Sequence, residues 1–175
     1  MTDMVGFIGL GSMGAPMAGR LVGWPGGVMV YDVRDEATAR FAGTGADIAA
    51  GLADIAAADI VSVAVLDDAQ VREVVADLAG HAAPGTVIAI HSTIGDSTAA
   101  ELSDRFAPQR IHIVDAPVSG GAGAAEKGEL ATMVGAPRDV YERVKPIFKQ
   151  WASLVIHAGD PGAGTRMKLA RNMLT

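Results

Sequence analysis

Apolar residues along the chain fall into two alternating kinds of run. "VGFIGL", "VMVYD", "IVSVAVL", "TVIAIHS" and "IHIVDAP" are rich in Val and Ile and too short for helices. Continuous apolar runs of that length suit strands buried on both faces of a parallel sheet. Between them, "SMGAPMAGRLVG", "DEATARFAG", "DDAQVREVVADLAG" and "DSTAAELSDRFA" set apolar residues at helical spacing. Val71, Val74, Val75 and Leu78 make one such stripe. Asp67 or Asp68 is positioned to cap that helix, and Asp96 or Ser97 the next. Gly43 and Gly80 stand where helices are expected to stop. The alternation predicts a doubly wound α/β sheet of mostly parallel strands.

Past Pro117 the pattern changes. "VSGGAGAAEKGE" reads as a glycine-rich loop and small-residue segment. "LATMVG" then reads as a strand, "RDVYERVKPIFKQW" as a helix and "SLVIHAG" as a further strand, an added α/β unit. The last segment, "DPGAGTRMKLARNMLT", reads as a helix with Asp160 at its N-cap and Pro161 at its first position.

Composition narrows the classes. A length of 175 residues fits one domain, and 50% hydrophobic with 19% charged residues describes a globular chain. Aromatics make up only 5%, so the core is expected to be aliphatic. The net charge of −6 argues against a nucleic-acid partner. The longest apolar stretch is interrupted by Asp47, Asp54 and Asp59, which argues against a membrane span. There is no cysteine, and Asp3 stands where a secretory signal would be basic, so a cytoplasmic location is expected. His81, His91, His112 and His157 share no ligand spacing, so no metal site is expected; His91, at a strand end, reads as a structural hydrogen-bonder.

Candidate chemistry gathers where strands end. "GFIGLGSMG" places Gly9, Gly11 and Gly14 between an apolar strand and a helix. Gly9 permits the tight turn, Gly11 lets backbone approach a pyrophosphate, and Gly14 lets helix pack on strand. Leu10, Ser12 and Met13 contribute the amides between them. The second strand ends in Asp32, about twenty residues on, where a carboxylate can accept from the ribose hydroxyls. Asp32 would repel the extra phosphate of NADP, so NAD is favoured, with NADP not excluded. Arg34, two residues on, is placed either to offset part of that charge or to stand as a solvated loop residue, and the second is the preferred reading. Leu66 and Thr93 follow later strands on the same edge. Spacing alone leaves Leu66 between core and cofactor contact, and Thr93 between helix cap and cofactor contact. "DAPVSGG" offers the Ser119 hydroxyl and the amides of Gly120 and Gly121, a nest suited to a carboxylate or phosphate, or an ordinary turn. Lys168 and Asn172 lie four apart on one helix face; by itself Lys168 reads as a solvated lysine.

Taken together, "GFIGLGSMGAPMA", "DAPVSGGAGAAEKGELATMVGA" and "GAGTRMKLARNML" resemble the three signatures of the β-hydroxyacid dehydrogenases, over essentially the whole chain. That family includes 3-hydroxyisobutyrate, tartronate semialdehyde and 6-phosphogluconate dehydrogenases. The resemblance implies a Rossmann-type NAD domain over residues 1–160 and, over 161–175, the start of an interdomain helix. The all-helical second domain of such enzymes, which closes the cleft and builds a homo-oligomer interface, is expected to be missing. It further implies Lys168 as general acid/base with Asn172 as its partner. Ser119, Gly120 and Gly121 would hold the acid end of a small anionic hydroxyacid or semialdehyde. Cofactor contacts would lie at the first loop, Leu66 and Thr93. Two alternatives stand beside this: a dinucleotide-binding module without turnover, and an imine reductase-like enzyme, against which "DAPVSGG" and Lys168 argue.

Overall fold

A computed structural model describes residues 1–175. The first half runs β1 (Val5–Ile8), α1 (Gly14–Gly19), β2 (Val28–Tyr31), α2 (Asp35–Ala39), β3 (Asp47–Ile48), α3 (Leu52–Ile55), β4 (Ile60–Val63) and α4 (Asp68–His81). The second runs β5 (Val87–Ile90), α5 (Thr98–Phe106), β6 (His112–Asp115), β7 (Val118–Ser119), α6 (Gly121–Lys127), β8 (Leu130–Gly135), α7 (Arg138–Phe148), β9 (Ala152–Gly159) and α8 (Ala163–Met173).

Strands β3-β2-β1-β4-β5-β6 lie side by side in that order, all parallel. Strand β8 then pairs antiparallel with β6 and β7, and β9 pairs parallel with β8 on its far edge. The pairs Asp115↔Gly135, Val118↔Thr132 and Ser119↔Ala131 keep one register. β6 and β7 are therefore one extended segment interrupted at Pro117, which carries Ser119 beyond the end of β6.

Side chains alternate across the sheet as a period of two requires. Phe7, Ile60, Val87 and Ala89 face one cluster with Met17 of α1 and Val140, Val144 and Phe148 of α7. Ile8, Val61, Val63, Ile88 and Ile90 face the other, with Val71, Val75 and Leu78 of α4 and Leu102 of α5. Each fully buried aliphatic side chain contributes roughly 1.5–3 kcal/mol, which makes the two faces the main stabilising element. The fold is thus the doubly wound, mostly parallel Rossmann-like sheet that the strand pattern predicts. No helix is long and apolar enough to cross a membrane.

Several local expectations are corrected. "GAGAAEK" is helix α6 rather than loop: Ala125 is buried against the core, and Gly128 (φ +74°) ends the helix in the left-handed conformation. Gly80 lies inside α4, which continues to His81. Asp67 does cap α4, accepting from the Gln70 amide. Ser97 occupies the N-cap position of α5 but its hydroxyl donates to Glu101 instead. Helix α8 begins at Ala163, so neither Asp160 nor Pro161 plays the part expected; its N-cap position is Gly162, at φ +101°.

Candidate functional site

Ile8, Val63, Ile90 and Asp115 stand in one row across β1, β4, β5 and β6. The loops that follow these residues therefore open on the same edge, the carboxyl edge where doubly wound sheets hold ligands.

The first loop fits a pyrophosphate. Gly9 has φ +91°, and a Cβ there would lie 2.1 Å from the Ala64 carbonyl oxygen. A Cβ on Gly14 would lie 1.7 Å from the Gly9 carbonyl oxygen. Both glycines are dictated by packing. Gly11 differs: a Cβ there would meet nothing within 4 Å, so the space beside it stays clear for a ligand. The amides of Gly11, Ser12, Met13 and Gly14 make no hydrogen bond within the chain, and Ser12 is exposed. The Leu10 amide, by contrast, donates to Asp32 Oδ2 at 2.8 Å, which ties the loop to the end of β2.

Asp32 is held from the other side by Arg34, whose amide and Nε donate to Oδ1 at 2.9 and 3.1 Å. Burial pushes the Asp32 carboxyl up, but the Arg34 and Leu10 hydrogen bonds outweigh it and hold the group below the usual carboxylate range. Arg34 is thus an ion-pair partner of Asp32, not only the solvated loop residue its position suggested. Leu66 is 83% exposed beside the edge, while its amide donates to Gln70 Oε1.

His91 faces inward. Its Nδ1 lies 2.8 Å from the Ala116 carbonyl, which can only accept, so Nδ1 carries the proton and Nε2 accepts from Ser62 Oγ at 3.0 Å. Burial pulls its pKa down to about 4, so the imidazole is neutral and structural.

Helix α8 brings the remaining candidates together. A Cβ on Gly164 would lie 2.3 Å from the Met133 carbonyl oxygen and 2.9 Å from that of Asp115, so only glycine lets α8 lie this close to β6 and β8. The fully buried Asp115 carboxylate anchors the helix start. Its Oδ1 accepts from the Gly162 amide at 2.7 Å, and its Oδ2 from the Thr165 amide and hydroxyl at 2.6 and 2.8 Å. Asp115, which fixes this geometry, and Arg171, which meets Ser119, were not singled out in the sequence. The signal for Asp115 was a lone carboxylate at the end of an otherwise apolar strand.

Anchored this way, α8 projects Lys168 Nζ to 3.5 Å from Thr93 Oγ1, and Arg171 Nη1 donates to Ser119 Oγ. Lys168 is half-buried; burial first, and then the Arg171 guanidinium, lower its pKa from the ordinary value. The amides of Gly120, Gly121, Ala122 and Gly123 at the start of α6 make no hydrogen bond within the chain. Asn172 is exposed, and its side chain makes no hydrogen bond to Lys168.

Residues 4–159 match the family model of the NAD-binding domain of 6-phosphogluconate dehydrogenase. An uncharacterised oxidoreductase of Mycobacterium tuberculosis (strain H37Rv) is 63% identical over 99% of this chain and 60% of its own length. The NAD-dependent L-serine dehydrogenase of Pseudomonas aeruginosa is 34% identical over 97% of this chain and 58% of its own length. Among solved structures, the 3-hydroxyisobutyrate dehydrogenase of M. tuberculosis with L-serine superimposes with a TM-score of 0.93. It is 33% identical and matched over 99% of this chain and 60% of that one. The chain therefore spans about three-fifths of the length of these relatives.

Proposed function

The chain belongs to the family of the NAD-binding domain of 6-phosphogluconate dehydrogenase, and from that premise we propose that it is the cofactor-holding part of an NAD-dependent dehydrogenase of short β-hydroxyacids or their semialdehydes. The loop of residues 9–14 holds the pyrophosphate, on the free main-chain amides of residues 11–14, Asp32 holds the adenosine ribose, and Leu66 and Thr93 flank the cofactor. Bound there, the dinucleotide supplies the hydride acceptor or donor.

The chain's own residues do the rest. Ser119, Gly120 and Gly121 hold the acid group and orient the carbinol carbon. Lys168, neutral, takes the hydroxyl proton at Nζ during oxidation; as ammonium it returns the proton to the carbonyl oxygen during reduction. A lysine with an ordinary pKa is a poor base near neutrality, and a lowered one suits this exchange. Asn172 is read as the partner that aligns amine and substrate when both are engaged. Residues 161–175 are read as the helix joining this unit to the rest of the enzyme, which in full-length form is read as a homo-oligomer. Relatives named for 3-hydroxyisobutyrate and L-serine support a short β-hydroxyacid as the substrate class.

The observation that supports this reading most is the pairing made by α8, which sets an amine of lowered pKa beside Thr93 and a guanidinium on Ser119 at the edge where the free-amide loop opens. Calorimetric titration tests the cofactor role: NAD is expected to bind more tightly than NADP, and the reverse order removes the part given to Asp32. Steady-state turnover tests the chemistry. Lys168→Ala is expected to abolish it while NAD affinity stays within about twofold, because the amine meets the substrate oxygen and not the pyrophosphate. Near-normal rates in that variant remove Lys168 from catalysis.

A further inference from the structure

Helix α8 carries Arg166, Lys168 and Arg171 and no acidic residue. None of the three has a carboxylate within ion-pair distance, in a chain whose net charge is −6. A helix of uncompensated positive charge beside a ligand edge concentrates anions there. Arg171 lies three residues beyond Lys168 and shares its face. Its Nη1 donates to Ser119 Oγ, the hydroxyl next to the unpaired amides of Gly120 and Gly121. A guanidinium has five donors in a planar fork. The Ser119 contact uses one, and the others match the two oxygens of a carboxylate.

From this juxtaposition we infer that Arg171 is a specificity-determining residue. It receives the substrate carboxylate together with the Ser119 loop, and it selects hydroxyacids that carry no cationic group over zwitterionic β-hydroxy amino acids. The inference rests on the reading of the site given above and narrows its substrate class. In a β-hydroxy amino acid the ammonium sits on the carbon between the carboxylate and the carbinol. With the carboxylate on Arg171 and the hydroxyl on neutral Lys168, that ammonium lies beside the permanently charged Arg171 guanidinium, and like charges at such range repel. Exchange of Arg171 for lysine keeps the charge but loses the fork, so it preserves part of the preference.

The test is calorimetric titration of the NAD-saturated chain with 3-hydroxyisobutyrate, L-serine and uncharged 1,3-propanediol. The acid is expected to bind at least about tenfold more tightly than L-serine, with no binding of the diol. Arg171→Gln is expected to weaken the acid by about tenfold or more and to bring acid and L-serine within roughly threefold of each other. Arg171→Lys is expected to fall between. NAD affinity and thermal midpoint stay at wild-type values in both variants, since Arg171 is exposed near the end of α8. Unchanged acid affinity in Arg171→Gln overturns the inference and leaves the cofactor reading intact. So does tighter binding of L-serine than of the acid, or absence of acid binding to a chain that binds NAD. Failure of the wild-type chain to bind NAD overturns the reading of the site itself, and this inference with it.

Discussion

Helices α1 and α8 both begin among glycines at the carboxyl edge of the sheet, and they use their first amides in opposite ways. The N-terminus of any helix presents unpaired N–H groups and the positive end of a dipole. At α8 the chain supplies its own anion: the buried Asp115 carboxylate accepts from the Gly162 and Thr165 amides. At α1 it supplies none, and the amides of residues 11–14 remain free. One end is closed and structural; the other is open and suited to a phosphate. The glycines look alike in composition but answer to different constraints. Gly164 and Gly14 are required by backbone that would strike a Cβ, whereas Gly11 faces clear space.

The contrast breaks most visibly at Asp115. Asp115→Ala leaves two amides and a hydroxyl without their acceptor inside the protein, at an expected cost of about 3–5 kcal/mol. Urea denaturation measures it, and amide exchange should rise first along α8. A loss below about 1 kcal/mol would mean that α8 is anchored by something else.

Next in size is the pH response of His91, another polar group satisfied wholly within the chain. Its folded pKa is about 4, below the unfolded value near 6.5. The unfolded chain therefore takes the proton first, and stability is lost as pH falls from about 6.5 towards 4, by roughly 3 kcal/mol in all. Asp32 and Asp68, whose pKa values are lowered, add losses in the same direction only within the carboxylate range. Denaturation between pH 6.5 and 5 thus isolates the histidine, and His91→Phe is expected to flatten that interval. An equal slope in the variant would assign the pH response elsewhere.

The smallest effect on the free energy sharpens the open side of the comparison. Gly11→Val is expected to leave the thermal midpoint nearly unchanged, because its Cβ meets no atom within 4 Å. The same side chain would fill the approach to the free amides and weaken NAD by about 10–100-fold, equivalent to one or two lost charge-assisted hydrogen bonds. Unaltered NAD affinity would detach the loop from the pyrophosphate.

Much of this architecture was legible in the pattern of apolar runs. Each of the seven Val- and Ile-rich segments quoted contains a strand, and the stripe Val71, Val75 and Leu78 lies buried on α4. Shorter pieces escaped that reading. β3 and β7 have two residues each, and α3 has four, too few for a period to register. Helix α6 looked like a loop because glycine and alanine have no apolar contrast to show; its helicity comes from Ala125 packing into the core. At the site, the glycine loop, Asp32, Thr93, Ser119 and Lys168 were nominated from motif and resemblance. Asp115 was not, because hydrogen bonds between positions brought together by folding leave no spacing rule in the chain; the Arg34–Asp32 pair was weighed from its spacing but set aside for a solvated Arg34.

By itself, then, the sequence determined the alternation of strand and helix, the two buried faces of the sheet and the residue types at each strand end, since all three follow from local periodicity and turn chemistry. Only the tertiary structure decided which glycine-flanked helix start is stoppered and which is open, and which cation on α8 meets Ser119. Those outcomes depend on a carboxylate or a hydroxyl arriving from tens of residues away, and a charged group's effect is set by what surrounds it in space.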